Sequence, residues 1–312
     1  MGMSVRYITR NVRSIADLDS GTAPSLLLIG LEALHTALPL LAKSRIPHAV
    51  VDQAGRGISA LYGPLKYTST PLDKGNRSAW TASTDKLDLA IGANTPLRVS
   101  IPASNTLFAT NGEHQSLIFD ANGIQVNGMR VEIDADVESI ALRAPLTPLV
   151  EDLRIDEVAS NMVKKISGKP ASYWLETAVA ERTTPLESDV YMVVHSQQSA
   201  LHGPLRLKVI AGGGGWGAKA GLLVVDPDYS HILKKGDQVS FAVAGENVRQ
   251  ENTKMAGFLF ECLKSQESFH TDRRTALVSP DLFHAASEST IIAGEQKLDM
   301  PGDEVSIRLR YE

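Results

Sequence analysis

The chain has 312 residues, 43% of them hydrophobic, enough to bury one large core or two ordinary ones without help from disulfides or metals. Its single cysteine, Cys262, excludes an internal disulfide and any cysteine-based metal cluster, and it fits a reducing or matrix-type compartment. A formal charge of -5 argues against coating nucleic acid by general electrostatics, and no apolar run approaches the roughly 20 residues that a membrane-crossing helix needs.

The N-terminal segment carries Arg6, Arg10 and Arg13 with no acidic residue before Asp17. That pattern matches the basic, acid-poor character of a mitochondrial transit segment, and equally an exposed edge strand or helix with three solvated arginines. The first clear unit runs from Ser25 to Asp52. Leu26 to Ile29 is a short apolar run ending in Gly30, Leu34, Ala37, Leu38 and Leu41 follow at helical spacing, and His48 to Val51 resumes as a strand. Pro39 falls inside the helical pattern, where a kink or restart is expected. This reads as β-α-β. Asp52 stands where a dinucleotide site would place its ribose-binding carboxylate, but the turn after Gly30 reads Leu31-Glu32-Ala33-Leu34 and lacks the required glycines. The unit is therefore expected to be an ordinary crossover with an acidic residue at the strand end.

Residues 53 to 95 are rich in turn formers and read as a partly loop-like connection. Short strands follow at Leu97 to Ile101, Ser116 to Phe119 and Met129 to Ile133. The pairs Asn111-Gly112, Asn122-Gly123 and Asn127-Gly128 lie between or beside them and predict hairpin turns, hence a β-meander. Helices are expected over Ile155 to Ile166 and Ser172 to Glu181, the second just after Pro170. Further strands are expected at Val190 to Val194, Leu205 to Ile210, Leu222 to Val225, Val239 to Ala244, Gly257 to Phe260, Thr290 to Ala293 and Val305 to Leu309. The sum is an α+β, or mixed α/β, protein. Residues 1 to 150 form an N-terminal α/β subdomain with a β-meander, and residues 151 to 312 a C-terminal α+β subdomain, unless the two are one continuous domain.

The most distinctive local feature is the strand Leu205 to Ile210 running into Gly212, Gly213, Gly214, Gly215, Trp216 and Gly217. Gly212, Gly214 and Gly217 satisfy the spacing G-x-G-x-x-G, but only Ala218-Lys219-Ala220-Gly221 separates them from the next apolar run, too little for the helix whose N-terminus would hold a phosphate. Two readings remain. The glycines permit close backbone packing with Trp216 filling the adjacent gap, or their N–H groups and Lys219 line a pocket for a small polar or anionic ligand or present Trp216 to a protein partner. His195 and His202 flank a polar turn without further metal ligands and read as solvated. Arg273 and Arg274 also read as solvated. Serine hydrolase, zincin and Cys-x-x-Cys signatures are absent, Cys262 reads as a core residue, and no cofactor or metal is expected.

The segment GGGGWGAKAGLLVVDPD, residues 212 to 228, and NTLFATNG, residues 105 to 112, resemble poorly characterised fungal proteins described as FIST-like, some of them mitochondrial. The resemblance implies a module that binds small ligands and contacts partners without turnover. The expected function is a non-enzymatic, ligand-sensing or assembly protein of fungal mitochondria, or otherwise of the cytoplasm. Asn105, the glycines 212 to 215 and 217, Trp216 and Lys219 would form its binding rim. Two alternatives stay open: an enzyme acting on a phosphorylated or nucleotide substrate at the glycine turn, and a mitochondrial gene-expression factor binding RNA.

Overall fold

The computed structural model describes residues 7–18, 22–41, 44–71, 85–103, 105–106, 115–180, 189–198, 204–212, 221–229, 233–245, 256–263 and 279–310. Its packing divides the chain into two units, Met1–Arg143 with Arg249–Glu312, and Ala144–Val248.

The first unit begins with β1 (Ile8–Val12), β2 (Leu26–Gly30), α1 (Leu34–Leu41), β3 (His48–Val51), β4 (Ile58–Tyr62), β5 (Lys66–Pro71), β6 (Lys86–Ile91) and β7 (Leu97–Pro102). It continues through the two-residue pair β8 (Asn105–Thr106) and β9 (Gln115–Ser116), then β10 (Ile118–Phe119), β11 (Gln125–Ile133) and β12 (Val137–Arg143). The second unit holds β13 (Leu146–Ala159), β14 (Met162–Ile166), β15 (Lys169–Pro170), α2 (Ala171–Ala180), β16 (Val190–Gln198), β17 (Pro204–Gly212), β18 (Leu223–Val225) and β19 (Gln238–Ala244). The chain then returns to the first unit with β20 (Gly257–Cys262), β21 (Leu282–Ser287), β22 (Ile291–Ala293), β23 (Gln296–Leu298) and β24 (Glu304–Leu309).

Strands occupy 58% of the structure and helices 11%, with two α-helices among the described residues, so the protein is mostly β and the expected α+β or α/β class is corrected. The main source of the error lies at Ile155 to Ile166, where apolar residues recur at 155, 158, 163 and 166 as on a helix face. Those residues belong instead to the antiparallel hairpin of β13 and β14. Its register jumps between Ile155 and Val158, once by an extra residue in each strand. Each bulge shifts the two-residue alternation by one, so inward positions fall three apart. Asn127-Gly128 is likewise no turn. It sits within β11 at a register shift against β5, whereas Asn122-Gly123 does close the β10–β11 hairpin, with Gly123 at φ 73°. Residues 53 to 95, expected to be partly loop-like, contain β4, β5 and β6, and residues 72–84 lie outside the described residues.

In the first unit an 11-stranded sheet runs β1-β4-β2-β3-β10-β11-β6-β7-β22-β23, with β5 also paired to β11. The β-α-β unit is present within it: β2 and β3 are parallel, and α1 crosses between them. The helix continues through Pro39. Ala33, Ala37 and Leu41, one helical repeat apart, pack on Leu27, Ile29 and Val50 of the sheet. A second sheet runs β12-β24-β20-β21. Every residue of β20 and β21 is buried, and Phe258 meets Phe283 edge-on at 5.6 Å. β1, bearing Arg10, pairs along one side with β4 and forms an end of the large sheet.

In the second unit β13, β19, β16, β17, β18 and β14 pair in that order, all antiparallel, and β14 pairs back with β13, closing a six-stranded barrel. Closure removes the exposed edges an open sheet of this length would carry. The barrel interior is packed with its own side chains, among them Ile155, Val163, Met192, Leu207, Val239 and Phe241. α2 seats on it through Ala171, Leu175 and Trp174, whose indole N–H donates to the Ile166 carbonyl at 2.9 Å. Among the described residues no helix is long and apolar enough to cross a membrane.

Candidate functional site

The sequence points to the end of β17, and there the second unit carries an open groove of about 630 Å3. One wall is a face of α2, Ser172, Leu175, Glu176 and Val179, spaced by three and four residues as a single helical stripe requires. This stripe adjoins the face seated on the barrel and shares Leu175 with it, while Glu176 and Val179 stand exposed. The opposite wall is Val190 at the start of β16, Val209 to Gly212 of β17, and Leu223 of β18.

The β17 wall owes its shape to a bulge. Val209 faces Val225 but Ala211 faces Val224, so Ile210 is the extra residue. Bulges turn side chains out of the alternation, and Ile210 is 53% exposed, with Val179 across the groove 41% exposed. Gly212 ends the strand against Leu223. A Cβ built on it would lie 2.3 Å from Leu223 Cδ2 and 3.1 Å from the Leu222 carbonyl oxygen, so a side chain here would displace the end of Leu223 and crowd that carbonyl. Gly221, where the chain re-enters, is at φ 77° and is pressed against Pro170. Its carbonyl accepts the Ser172 N–H at 3.0 Å, tying the turn to the first residues of α2.

Of the residues expected to form the binding rim, Gly212 lines the groove. Asn105 opens the two-residue strand β8 of the first unit, whereas the groove lies within the second. Gly213, Gly214, Gly215, Trp216, Gly217 and Lys219 lie outside the described residues, as do His202, Arg273 and Arg274. His195 is exposed on β16 with its Nε2 2.8 Å from the Ser240 hydroxyl. Cys262 is buried.

The polar groups of the groove are few. Ser172 and Glu176 stand on the α2 wall, and Asp189 stands at the entry to β16, where it pairs with Lys208 at 2.6 Å. The groove therefore combines apolar walls with a rim on which Lys208 offsets the Asp189 charge, and the Glu176 carboxylate has no ion-pair partner among the described residues. Among the described residues no group of three histidine, cysteine or acidic side chains is placed to hold a metal ion.

One cluster elsewhere has the residue types of an acid-base site. His284 of β21 is 1% exposed, and the Gly55 N–H donates to its Nδ1 at 2.7 Å. A backbone N–H has a proton to give, so Nδ1 is the bare nitrogen, and Nε2 carries the ring proton and donates it to Glu261 at 3.0 Å. Around it Ser59 accepts the His284 N–H at 3.1 Å, and the Ser59 hydroxyl lies 2.5 Å from Asn11 Oδ1. Asp52 accepts from the Ser287 hydroxyl and the Glu288 N–H at 2.8 and 2.9 Å, both on Oδ2, so it ties the end of β3 to the end of β21. Both ring nitrogens of His284 are engaged within the protein, so the cluster fastens β21 across the large sheet and leaves no nitrogen for a substrate proton. The sequence signal was a histidine inside the apolar run Leu282-Phe283-His284-Ala285-Ala286, since a polar group so placed needs partners.

Glu32 stands nearby on the turn into α1. Its carboxylate folds back over Gly30, where a built Cβ would lie 2.6 Å from Oε2. Loss of solvation raises its pKa above the ordinary carboxylate value, against the lowering effects of its own backbone N–H and of His284. The folded protein thus binds this proton more tightly than the unfolded chain, and stability falls as pH rises from the ordinary range through the raised value. Glu32→Gln is expected to raise the urea midpoint at about pH 7.5 and to lose that advantage at about pH 3.5, below the ordinary glutamate range. An advantage that is the same at both pH values would contradict the assignment.

No family model matches the chain, and no curated protein or solved structure is similar to it.

Proposed function

We propose that the protein is a non-enzymatic binding module whose barrel unit takes a small, largely apolar ligand with a cationic end into the groove beside α2. The observation that carries this reading is the groove itself. Its walls carry Leu175, Val179, Val209 and Ile210 in one concavity, and with Asp189 paired to Lys208 the Glu176 carboxylate makes the rim acidic. Concave, apolar sites with a few placed polar groups are the usual form of small-molecule sites. The acidic rim disfavours the phosphorylated substrate and the RNA considered from the sequence, because both would meet like charge there. It also replaces the anionic ligand expected for the glycine turn by an apolar or cationic one. Among the described groove residues the polar side chains are Ser172, Glu176 and Asp189, with no histidine or cysteine to act as base or nucleophile, which favours binding over turnover.

A thermal-shift comparison of octylamine with octanoate tests this. Each buried methylene contributes about 0.8 kcal/mol, and only the amine matches the rim. Octylamine at about ten times its dissociation constant is expected to raise Tm by about 2 to 4 °C and octanoate to leave it unchanged. Ile210→Lys, a change at an exposed position, is expected to abolish the octylamine shift while leaving the unliganded Tm within about 2 °C. Equal shifts with both compounds, or a shift that survives Ile210→Lys, would count against the groove as the site.

A further inference from the structure

A second cleft, of about 420 Å3, lies wholly in the first unit, at the carboxyl ends of β6 and β11. Those strands are parallel neighbours, Glu132 lying beside Ala90 and Ile133 beside Ile91. Beyond their ends the chains part: β6 turns through Gly92, at φ 122°, toward β7 of the same sheet, while β11 passes through Asp134 to β12 of the other. Divergence of two parallel strands at their carboxyl ends opens a crevice, as in open parallel sheets generally. Tyr7 and Ala90, 4% and 5% exposed, form its floor. The Tyr7 hydroxyl donates to the Pro64 carbonyl at 2.8 Å and accepts the Asp134 N–H at 3.1 Å, which fixes the floor.

Alternation puts Met129, Val131 and Ile133 of β11 into the core and turns Arg130 and Glu132 toward the cleft. Lys66, directly across from Glu132 on β5, and Asp134 also line it. Two cations and two carboxylates thus line one cleft, the backbones of Arg130 and Asp134 being on the order of 13 Å apart along the chain and the long Arg130 side chain spanning part of the difference. Asp88, in register with Arg130, is engaged elsewhere: it pairs with Lys86 at 3.6 Å and accepts from the Ser100 hydroxyl. Among the described residues none of Lys66, Arg130, Glu132 or Asp134 has an ion-pair partner.

We infer that this cleft binds a small zwitterion of the free amino acid class. Arg130 and Lys66 take the carboxylate, Glu132 and Asp134 the ammonium, and Leu65, Pro96 and Ala93 lie against an apolar side chain. Arg130 is the better carboxylate partner, because its planar fork gives two parallel hydrogen bonds. Neither an amine nor an acid alone satisfies both charge pairs.

The test is calorimetric titration of the full chain with L-leucine, N-acetyl-L-leucinamide, isopentylamine and 4-methylpentanoate. L-leucine is expected to bind saturably below about 10 mM, and each of the other three at least about tenfold more weakly. Arg130→Gln and Glu132→Gln, both at exposed strand positions, are expected each to weaken L-leucine about tenfold, whereas Ile210→Lys in the other unit leaves it unchanged. That last variant separates failure here from failure of the groove reading. Surface charges that are merely solvated would give no saturation by L-leucine at about 10 mM, or equal binding of the blocked derivative, or no effect of Arg130→Gln; any of these overturns the inference.

Discussion

Replacing His284 by alanine is expected to lower the unfolding free energy by roughly 3 to 5 kcal/mol, the range for removing one partner of a buried hydrogen-bonded pair. Three losses combine. Glu261, 9% exposed, keeps its carboxylate without the Nε2 proton. The Gly55 N–H loses its acceptor, and an imidazole-sized hole opens beneath β4. Glu261→Gln is expected to cost only about 1 kcal/mol, because its amide oxygen still accepts from Nε2. Urea midpoints of the two variants measure this directly. A His284→Ala loss no larger than that of Glu261→Gln would mean that the cluster does not hold β21 in place.

A comparable loss is expected at Gly257, which opens β20. Its φ is 141°, and a Cβ there would lie 2.1 Å from the Ile307 backbone oxygen of β24. Backbone cannot move aside as a flexible side-chain end does, so Gly257→Ala combines a disfavoured dihedral with overpacking. The expected loss is roughly 3 to 5 kcal/mol. Gly123→Ala is the matched control: φ is 73° but nothing lies within 4 Å of the built Cβ, so only the dihedral term, about 1 kcal/mol, applies. Equal losses at the two glycines would show that the close approach of β20 to β24 is not required.

The sequence made individual strands legible where apolar and polar residues alternate or run continuously. β16 to β20, β22 and β24 follow that signal, as does the parallel pair β2 and β3 around α1. It failed where bulges break the alternation. Ile155, Val158, Val163 and Ile166 imitate a helix because two bulges displace their phase, and Asn127-Gly128 imitates a turn because a bulge is also a place for asparagine and glycine. β21 was missed because Ala285, Ala286 and Ser287 have weak strand preference, and the strand is held by its neighbours and by His284. Barrel closure depends on the contact of Ile155 with Ile166 and of Met162 with Val224, pairings that no local pattern encodes. The groove was visible only at one edge, Gly212. Its other wall is a stripe of α2 that shares Leu175 with the face packed on the barrel, so its apolar residues read as an ordinary core face until Val179 is seen to be exposed.

The groove is tested most directly by methyl-labelled NMR of the full chain during titration with octylamine. Saturable shifts confined to Leu175, Val179, Val190, Val209, Ile210 and Leu223 are expected, with the barrel interior at Val163 and Leu207 unmoved. Shifts centred on any other set of methyl groups, or no saturable shift while Ile210 and Val179 remain as exposed as they are here, would contradict a binding function for the groove.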